Sequence, residues 1–120
     1  LIQQYRYAAR QFLWELVAGR MDEGETPLEA AERELKEETG YTARSLKVFL
    51  EFFPTPGFLE EKMYLLLAEG LRPGKPTPED DEKIVAKAYT HKQLNNLLGK
   101  KKLKDAKTIA GILYYLRYLS

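Results

Sequence analysis

Hydrophobic residues are concentrated in five short segments that predict β-strands, and in one of them, residues 46–52, hydrophobic positions alternate with more polar ones. In chain order, these segments are residues 1–7, 13–17, 46–52, 63–68 and 84–89. Two later segments follow a helical period: Thr90 caps one that runs through Leu98, and Asp105 caps another. The residues predicted to share one face of the last helix are Ile109, Ile112, Leu113 and Leu116. A strand-rich middle with flanking helices indicates an α/β or α+β fold.

A further helix is predicted over residues 27–39, where the local signals for both of its ends are present. Thr26 is a good N-cap, Pro27 suits the first helical position, and Glu29 stands where a capping box places its acid. Gly40 then supplies a C-terminal stop. The helix should therefore begin at Pro27 and end just before Gly40.

The charged residues of this predicted helix fall on distinct faces. On a helical projection that places Glu34 at 0° around the helix axis, Glu38 lies near 40°. Three apolar residues lie at about 60° to 120°, namely Ala31, Leu35 and Leu28. Glu34 and Glu38 therefore border the predicted buried stripe. Carboxylates four residues apart repel each other beside a core unless a cation lies between them. A hard divalent cation with oxygen ligands, for which magnesium is the natural choice, would meet this need.

Arg33 and Glu37 form a second pair with the same spacing but opposite charge on the other flank of the helix. Glu25, in the loop before the helix, could complete a bidentate contact with the Arg33 guanidinium. An ordinary amphipathic helix with solvated charge pairs is the alternative interpretation. It says nothing, however, about residues outside the helix.

The residues outside the helix complete a longer pattern with fixed spacing. It consists of Gly19, Glu25, Arg33-Glu34-Leu35, Glu37-Glu38 and Gly40-Tyr41. Its seven fixed identities would coincide by chance on the order of once in 10^8 windows at average residue frequencies. This pattern resembles the Nudix box with every fixed position present. The last position, Tyr41, is aromatic where the family usually has an aliphatic residue.

The resemblance implies a Nudix-type α/β/α sandwich with a mixed β-sheet, formed by residues 1–120 as a single Nudix hydrolase domain. It also implies hydrolysis of a nucleoside diphosphate linked to another group. Glu34, Glu38 and the backbone carbonyl of Ala18 match the family's metal ligands, with Mg²⁺ as cofactor and Mn²⁺ as a substitute. The residues Arg33, Glu37 and Glu25 match the set that supports catalysis.

A second local signature bears on the substrate. The sequence Pro54-Thr55-Pro56-Gly57-Phe58 interrupts two predicted strands and makes a stiff turn that could present backbone and the Phe58 ring to a ligand. An ordinary hairpin turn is the alternative. Beside the Nudix box, the turn resembles the ADP-ribose pyrophosphatase branch, as do segments 104–108 and 4–6. The branch implies cleavage of ADP-ribose to AMP and ribose 5-phosphate by water.

Candidate residues for binding and proton transfer follow from this resemblance. Pro56, Gly57, Phe58 and Glu61 are candidates for the substrate site, and Arg6 is a candidate for the substrate's phosphate or adenine. The loop at residues 73–81 runs into a cluster of acids. Its Glu82 is the first candidate for the general base, with Asp80 and Glu61 as alternatives.

Composition narrows the class of protein without identifying it. The 120 residues are 44% hydrophobic and 31% charged, which suits one globular domain with a real core. A net charge of +1 gives no general attraction to nucleic acid, and zero cysteines exclude disulfides and thiolate sites. The apolar runs are too short to span a membrane, so we expect a cytoplasmic location. The chain begins with Leu1 in a predicted strand, and we expect residues to precede it.

Three functional hypotheses follow. The first is a magnesium-dependent ADP-ribose pyrophosphatase, which the resemblance implies is a homodimer acting on a small nucleoside diphosphate sugar. The second is another Nudix activity, on GDP-mannose, a dinucleoside polyphosphate or an oxidised nucleoside triphosphate. The third is a non-catalytic module that senses nucleotides or binds RNA. The complete box argues against the third, because a binding module does not need the second of the two metal-bordering glutamates.

Overall fold

The computed structural model describes residues 1–6, 11–16, 23–57, 62–76 and 85–120, with residues 3–6 and 11–14 described by their backbone. In chain order the elements are strands β1 (Ile2–Arg6) and β2 (Gln11–Glu15), helix α1 (Pro27–Thr39), strands β3 (Thr42–Phe52), β4 (Met63–Arg72) and β5 (Val85–Ala86), helices α2 (His91–Gly99) and α3 (Ala106–Tyr114), and a π-helical turn (Tyr115–Leu119). The chain divides into two compact units, residues 1–16 with 83–120 and residues 17–82.

The first unit holds a three-stranded antiparallel sheet with the order β2-β1-β5. Ile2 pairs with Glu15 on one side and with Ala86 on the other, so β1 is the central strand. Helices α2 and α3 follow this sheet in the chain, and each is capped as predicted, by Thr90 and Asp105 respectively. Among the residues of this unit whose side chains are described, the buried apolar ones are Ile2, Leu103 and Ile112.

The second unit holds α1 and the long antiparallel hairpin of β3 and β4. The pairing shifts register between Val48 and Leu50, so the ladder is irregular at this point. In the described part of this unit, the buried hydrophobic residues are Leu65 on β4 and Ala30 on α1. The hairpin therefore serves as the packing surface beside which α1 is held.

Helix α1 has the bounds that the sequence predicts, because both of its ends depend on local chemistry. The Thr26 side chain accepts a hydrogen bond from the Glu29 backbone N–H at 3.2 Å, and Pro27 occupies the first helical turn. At the other end, Gly40 adopts a left-handed conformation (φ 79°), and its N–H donates to the Lys36 carbonyl at 2.9 Å. The helix that carries the box is thus defined at both ends.

Several other predictions need adjustment. Strands β3 and β4 are longer than predicted, and β5 is shorter, with residue 84 outside the described part of the chain. Leu113 is exposed whereas Ile112 is buried, so the apolar face predicted for the last helix is not buried along its full width. The three described strand pairings are all antiparallel, and the parallel pair that a mixed sheet requires is not among them. Across the described ranges, every helix falls short of the length and apolar character that crossing a membrane needs.

Candidate active site

Arg33 on α1 joins three carboxylates through one guanidinium group. Its Nε donates to Glu25 Oε2 at 2.9 Å and its Nη2 donates to Glu25 Oε1 at 3.0 Å, which is the predicted bidentate contact. Its Nη1 donates to Glu37 Oε2 at 3.3 Å, one helical turn away, also as predicted. The same Nη1 donates to Glu34 Oε1 at 2.8 Å, which the sequence did not predict. Arg33 therefore holds the preceding loop, Glu37 and Glu34 in a fixed arrangement.

The buried residues of α1 are Ala30 and Glu38, and neither is a leucine. Glu38 is only 8% exposed and Ala30 is also buried, whereas Leu28 is 43% exposed. On the helical projection, Ala30 lies at about −40° and Glu38 at about 40°, so the buried face is centred near Glu34. The prediction that Leu28 belongs to the buried stripe is wrong. Glu29, Glu32 and Lys36 are exposed, as an outer solvated face should be.

The donor atoms on this face suit a hard divalent cation. Glu34 and Glu38 are one turn apart on α1, and both are largely shielded from water. Burying a charged carboxylate costs free energy unless a cation or a hydrogen-bond donor binds it. Within the described ranges, no three or more His, Cys, Asp or Glu residues gather into a metal-binding group. Mg²⁺ commonly uses one or two carboxylates together with water and substrate phosphates. The pair therefore fits Mg²⁺ chemistry.

The C-terminal end of α1 lies close to Gly74 and Pro76, which precede the acidic segment in the sequence. A Cβ atom placed on Gly40 would meet the carbonyl oxygen of Gly74 and lie 2.8 Å from the backbone nitrogen of Pro76. Gly40 is thus required twice, for its positive φ and for this close backbone approach. The end of α1 therefore packs closely against the backbone of Gly74 and Pro76, which precede the predicted general base in the sequence.

Several predicted site residues lie outside the part of the chain that the structure describes. They are Ala18, Phe58, Glu61 and Glu82, together with the alternative base Asp80. Arg6 lies at the end of β1, where its backbone pairs with Gln11, and the description stops at the backbone. Pro56 and Gly57 form an exposed turn between β3 and β4, as predicted. Of the predicted set, the described residues bring together Glu25, Arg33, Glu34 and Glu37.

Sequence reasoning missed a buried polar cluster in the first unit. Lys107 Nζ donates to Glu15 Oε1 at 2.8 Å and to Asp105 Oδ2 at 2.9 Å, and Thr108 also bonds to Asp105. Burial raises the pKa of Asp105, but hydrogen bonds from Thr108 and Lys107 and the Lys107 charge together bring it below its ordinary value. The Asp105 cap was visible in the sequence. The partner Glu15 was not, because it is distant in the chain.

The arrangement of the three carboxylates that Arg33 binds predicts that a lysine cannot replace this arginine. In an Arg33→Lys variant, one ammonium replaces a planar fork, so it cannot bind Glu25 bidentately while also holding Glu34. With Glu34 as the expected Mg²⁺ ligand of the expected hydrolysis, we expect the apparent Mg²⁺ affinity or kcat to fall about 10- to 100-fold, the usual loss when a group supporting a metal ligand is removed. Magnesium titrations of the hydrolysis rate measure this. Arg44→Lys, a matched change at an exposed residue of β3, should stay at the wild-type value, and equal values for both variants would contradict the role of Arg33.

Comparison with known proteins identifies the class. The family model described as the NUDIX domain matches residues 1–112, which includes parts of both units, and the chain belongs to this family. A crystal structure of an ADP compounds hydrolase superposes with a TM-score of 0.89 over 98% of this chain and 64% of that chain, at 24% identity. The α/β Nudix fold predicted from the sequence is thereby confirmed.

Two curated relatives show how far the likeness extends. The chain is 34% identical over 116 residues to an ADP-ribose pyrophosphatase of Bacillus subtilis, covering 95% of this chain and 63% of the relative. It is 30% identical over 116 residues to a methanol dehydrogenase activator of Bacillus methanolicus, with the same two coverages. The chain thus spans somewhat less than two thirds of the length of these relatives.

Proposed function

We propose that this chain hydrolyses the diphosphate linkage of ADP-ribose, or of a similar nucleoside diphosphate sugar, with Mg²⁺ as cofactor. The observation that carries the proposal is the described part of the Nudix box: Glu38 is buried on the inner face of α1, and Glu34 is held by the Arg33 guanidinium. The likeness to an ADP-ribose pyrophosphatase over 95% of the chain supports the choice of substrate. The turn at Pro56-Gly57 supports it independently.

In this proposal, each group has a defined task. Glu34 and Glu38, with the carbonyl of Ala18, hold the cation, which when bound neutralises the diphosphate and lowers the pKa of a water molecule. Arg33 keeps Glu34 oriented and is itself fixed by Glu25 and Glu37. A fixed ligand set needs no rearrangement when the negatively charged substrate enters.

The reaction consumes one water molecule. The water oxygen forms a bond to one phosphorus atom, the bridging P–O bond on that phosphorus breaks, and AMP and ribose 5-phosphate leave. The proton of the water passes to an acidic side chain, for which we propose Glu82, with Asp80 or Glu61 as the alternatives. Arg6, Pro56, Gly57, Phe58 and Glu61 are proposed to contact the substrate.

A substrate panel with purified full chain tests this function. In the presence of Mg²⁺, we expect AMP and ribose 5-phosphate from ADP-ribose at a higher kcat/KM than for GDP-mannose, a dinucleoside polyphosphate or an oxidised nucleoside triphosphate. Chelation of divalent cations should stop the reaction, and Mn²⁺ should restore it. A higher kcat/KM for another compound of the panel would refute ADP-ribose as the substrate, but the assignment of the reaction as diphosphate hydrolysis would stand. Nucleotide binding without product under any metal would refute the enzymatic proposal.

The oligomeric state belongs to the same proposal. We propose a homodimer in the cytoplasm, since the Nudix branch that the sequence resembles assembles its site with help from a partner chain. Light scattering of the purified chain should give twice the mass of 13.9 kDa. A monomer that hydrolyses ADP-ribose at full rate would contradict the need for a partner.

A further inference from the structure

The C-terminal end of α1 and the chain that leaves β4 face each other through two glycines. A Cβ atom placed on Gly40 would meet the Gly74 carbonyl oxygen, and a Cβ atom placed on Gly74 would lie 2.5 Å from the Gly40 carbonyl oxygen. Each residue thus occupies the space that a side chain on the other would need. Non-bonded heavy atoms have their optimal separation at about 3.5–4.0 Å, so an added Cβ at either position requires the backbone to move.

The register of the hairpin explains why these two glycines meet. The pairing of β3 with β4 ends at Thr42 and Arg72. Gly40 comes two residues before Thr42, and Gly74 comes two residues after Arg72, so the same antiparallel register places the glycines opposite each other. Both belong to the second compact unit, together with all of α1. The hairpin therefore delivers the chain that follows β4 to the end of the helix.

The two positions need glycine for different reasons. Gly40 has φ 79° and is required for its backbone conformation as well as for the contact. Gly74 is not among the described glycines with positive φ, so the close approach alone requires it. Pro73 directly precedes Gly74, and Pro76 follows two residues later, and each proline restricts its own backbone and that of the residue before it. This segment is stiff, so a Cβ added at Gly74 should displace the end of α1.

A displacement at Gly40 reaches Glu38 within the same turn. The Gly40 N–H donates to the Lys36 carbonyl at 2.9 Å, so the glycine is bonded to the last turn of the helix. Glu38 lies in that turn and is 8% exposed. Extending a contact from 2.5 Å to about 3.5 Å moves one partner by about 1 Å. Functional groups must be held to within about 0.5 Å of their productive geometry, so this movement is large for a metal ligand.

From these contacts we infer that Gly74 is a positioning residue for the metal site. By its close approach to Gly40, it sets the position of the last turn of α1 and therefore of the Glu38 carboxylate. The inference rests on the proposed function, in which Glu38 is a metal ligand. Gly74 lies outside the spaced pattern that ends at Tyr41. What the site requires of Gly74 is the absence of a side chain, and only the folded hairpin reveals this requirement.

Binding of Mn²⁺ without substrate tests the inference, with free Mn²⁺ measured by electron paramagnetic resonance on the full chain. We expect Gly74→Ala to raise the Mn²⁺ dissociation constant about tenfold, within the usual range for loss of a group that orients a metal ligand. With ADP-ribose and Mg²⁺, kcat should fall by up to about 100-fold, the loss that a misplacement of about 1 Å causes. A role of Gly74 in stability alone would leave the Mn²⁺ dissociation constant of the folded protein unchanged.

Gly70→Ala is the matched control for a loss of stability. Gly70 lies on β4 with φ 67°, and a Cβ placed there would lie 2.7 Å from the Arg44 Cβ. The substitution therefore also strains the hairpin, but the group that it displaces is Arg44 on β3. We expect Gly70→Ala to lower the thermal midpoint and to keep the wild-type Mn²⁺ dissociation constant. An equal rise of this constant in both variants would show that Mn²⁺ affinity follows stability, and would overturn the inference.

A metal-free measurement and a second variant complete the test. In NMR spectra without metal, the backbone amide resonances of residues 37–40 should shift in Gly74→Ala and stay in place in Gly70→Ala. If Gly74→Ala does not fold, Pro76→Ala decides the matter, because it adds no atom and only removes the ring that stiffens the segment. Its Mn²⁺ dissociation constant should rise by a smaller factor, and a wild-type value there would overturn the inference.

The outcomes separate this inference from the proposed function. A folded Gly74→Ala protein that binds Mn²⁺ as the wild type does would overturn the inference and leave the proposed function standing. Wild-type protein that binds no Mn²⁺ would overturn both. A raised Mn²⁺ dissociation constant in Gly74→Ala, together with wild-type protein that is inactive on ADP-ribose, would support the inference and refute only the proposed substrate.

Discussion

Replacing Glu38 with glutamine is expected to lower kcat/KM for ADP-ribose by at least about a thousandfold while the protein remains folded. Glu38 is 8% exposed on the inner face of α1, and an amide of the same size cannot supply the anionic oxygen that a hard cation binds. A bound divalent cation contributes several kcal/mol to transition-state stabilisation, and about 1.4 kcal/mol corresponds to a tenfold rate change. Steady-state kinetics at saturating Mg²⁺ measure the loss.

The same variant separates metal binding from folding. Mg²⁺ should raise the thermal midpoint of the wild-type protein, because a ligand that binds only the folded state stabilises it, and this increase should disappear in Glu38→Gln. Glu32→Gln is the matched control, since Glu32 lies on the same helix but faces solvent. In Glu32→Gln, both the hydrolysis rate and the increase of the thermal midpoint with Mg²⁺ should stay at their wild-type values. A Glu38→Gln protein within tenfold of the wild-type rate would show that Glu38 is not a metal ligand.

Replacing Gly40 with alanine is expected to destabilise the protein by about 2–5 kcal/mol. Gly40 has φ 79°, and a side chain in the left-handed region costs about 1–2 kcal/mol. An added Cβ would also come within 2.6 Å of the Gly74 carbonyl carbon, and forcing such an atom into packed structure adds about 1–3 kcal/mol. Denaturation midpoints in urea, with unchanged m-values, measure this loss.

Gly24→Ala measures the backbone term alone, so the difference between the two variants gives the cost of the close contact with Gly74. Gly24 has a nearly identical φ of 82°, but a Cβ placed there meets nothing within 4 Å. Its loss should therefore be limited to the backbone term, about 1–2 kcal/mol. Equal destabilisation by the two substitutions would mean that the end of α1 does not depend on its close approach to Gly74.

The features predictable from the sequence are those specified by neighbouring residues. Helix α1 could be bounded to the residue because Thr26, Pro27 and Gly40 act within one turn of its ends. The contact between Arg33 and Glu37 follows from helical spacing, and that with Glu25 follows from a short loop of fixed length. The caps of α2 and α3 were likewise predictable.

The features that escaped prediction depend on residues distant in the chain. Nothing near Glu15 indicates that Lys107 binds it, and nothing near Gly40 indicates that Gly74 packs against it. The buried side of α1 was misjudged for the same reason. Leu28 is more hydrophobic than Glu38. The tertiary packing of the helix nevertheless buries Glu38 and leaves Leu28 exposed. For a functional helix, hydrophobicity alone is a poor guide to its inner face.

Hydrolysis of ADP-ribose in ¹⁸O-labelled water, followed by mass analysis of both products, tests the central claim most directly. With Mg²⁺ present, the proposed reaction places a single ¹⁸O atom in either AMP or ribose 5-phosphate, and the labelled product identifies the phosphorus that water attacks. The same incubation with Glu38→Gln should leave ADP-ribose intact. Absence of AMP and ribose 5-phosphate from the wild-type reaction, or label in neither product, would contradict the account.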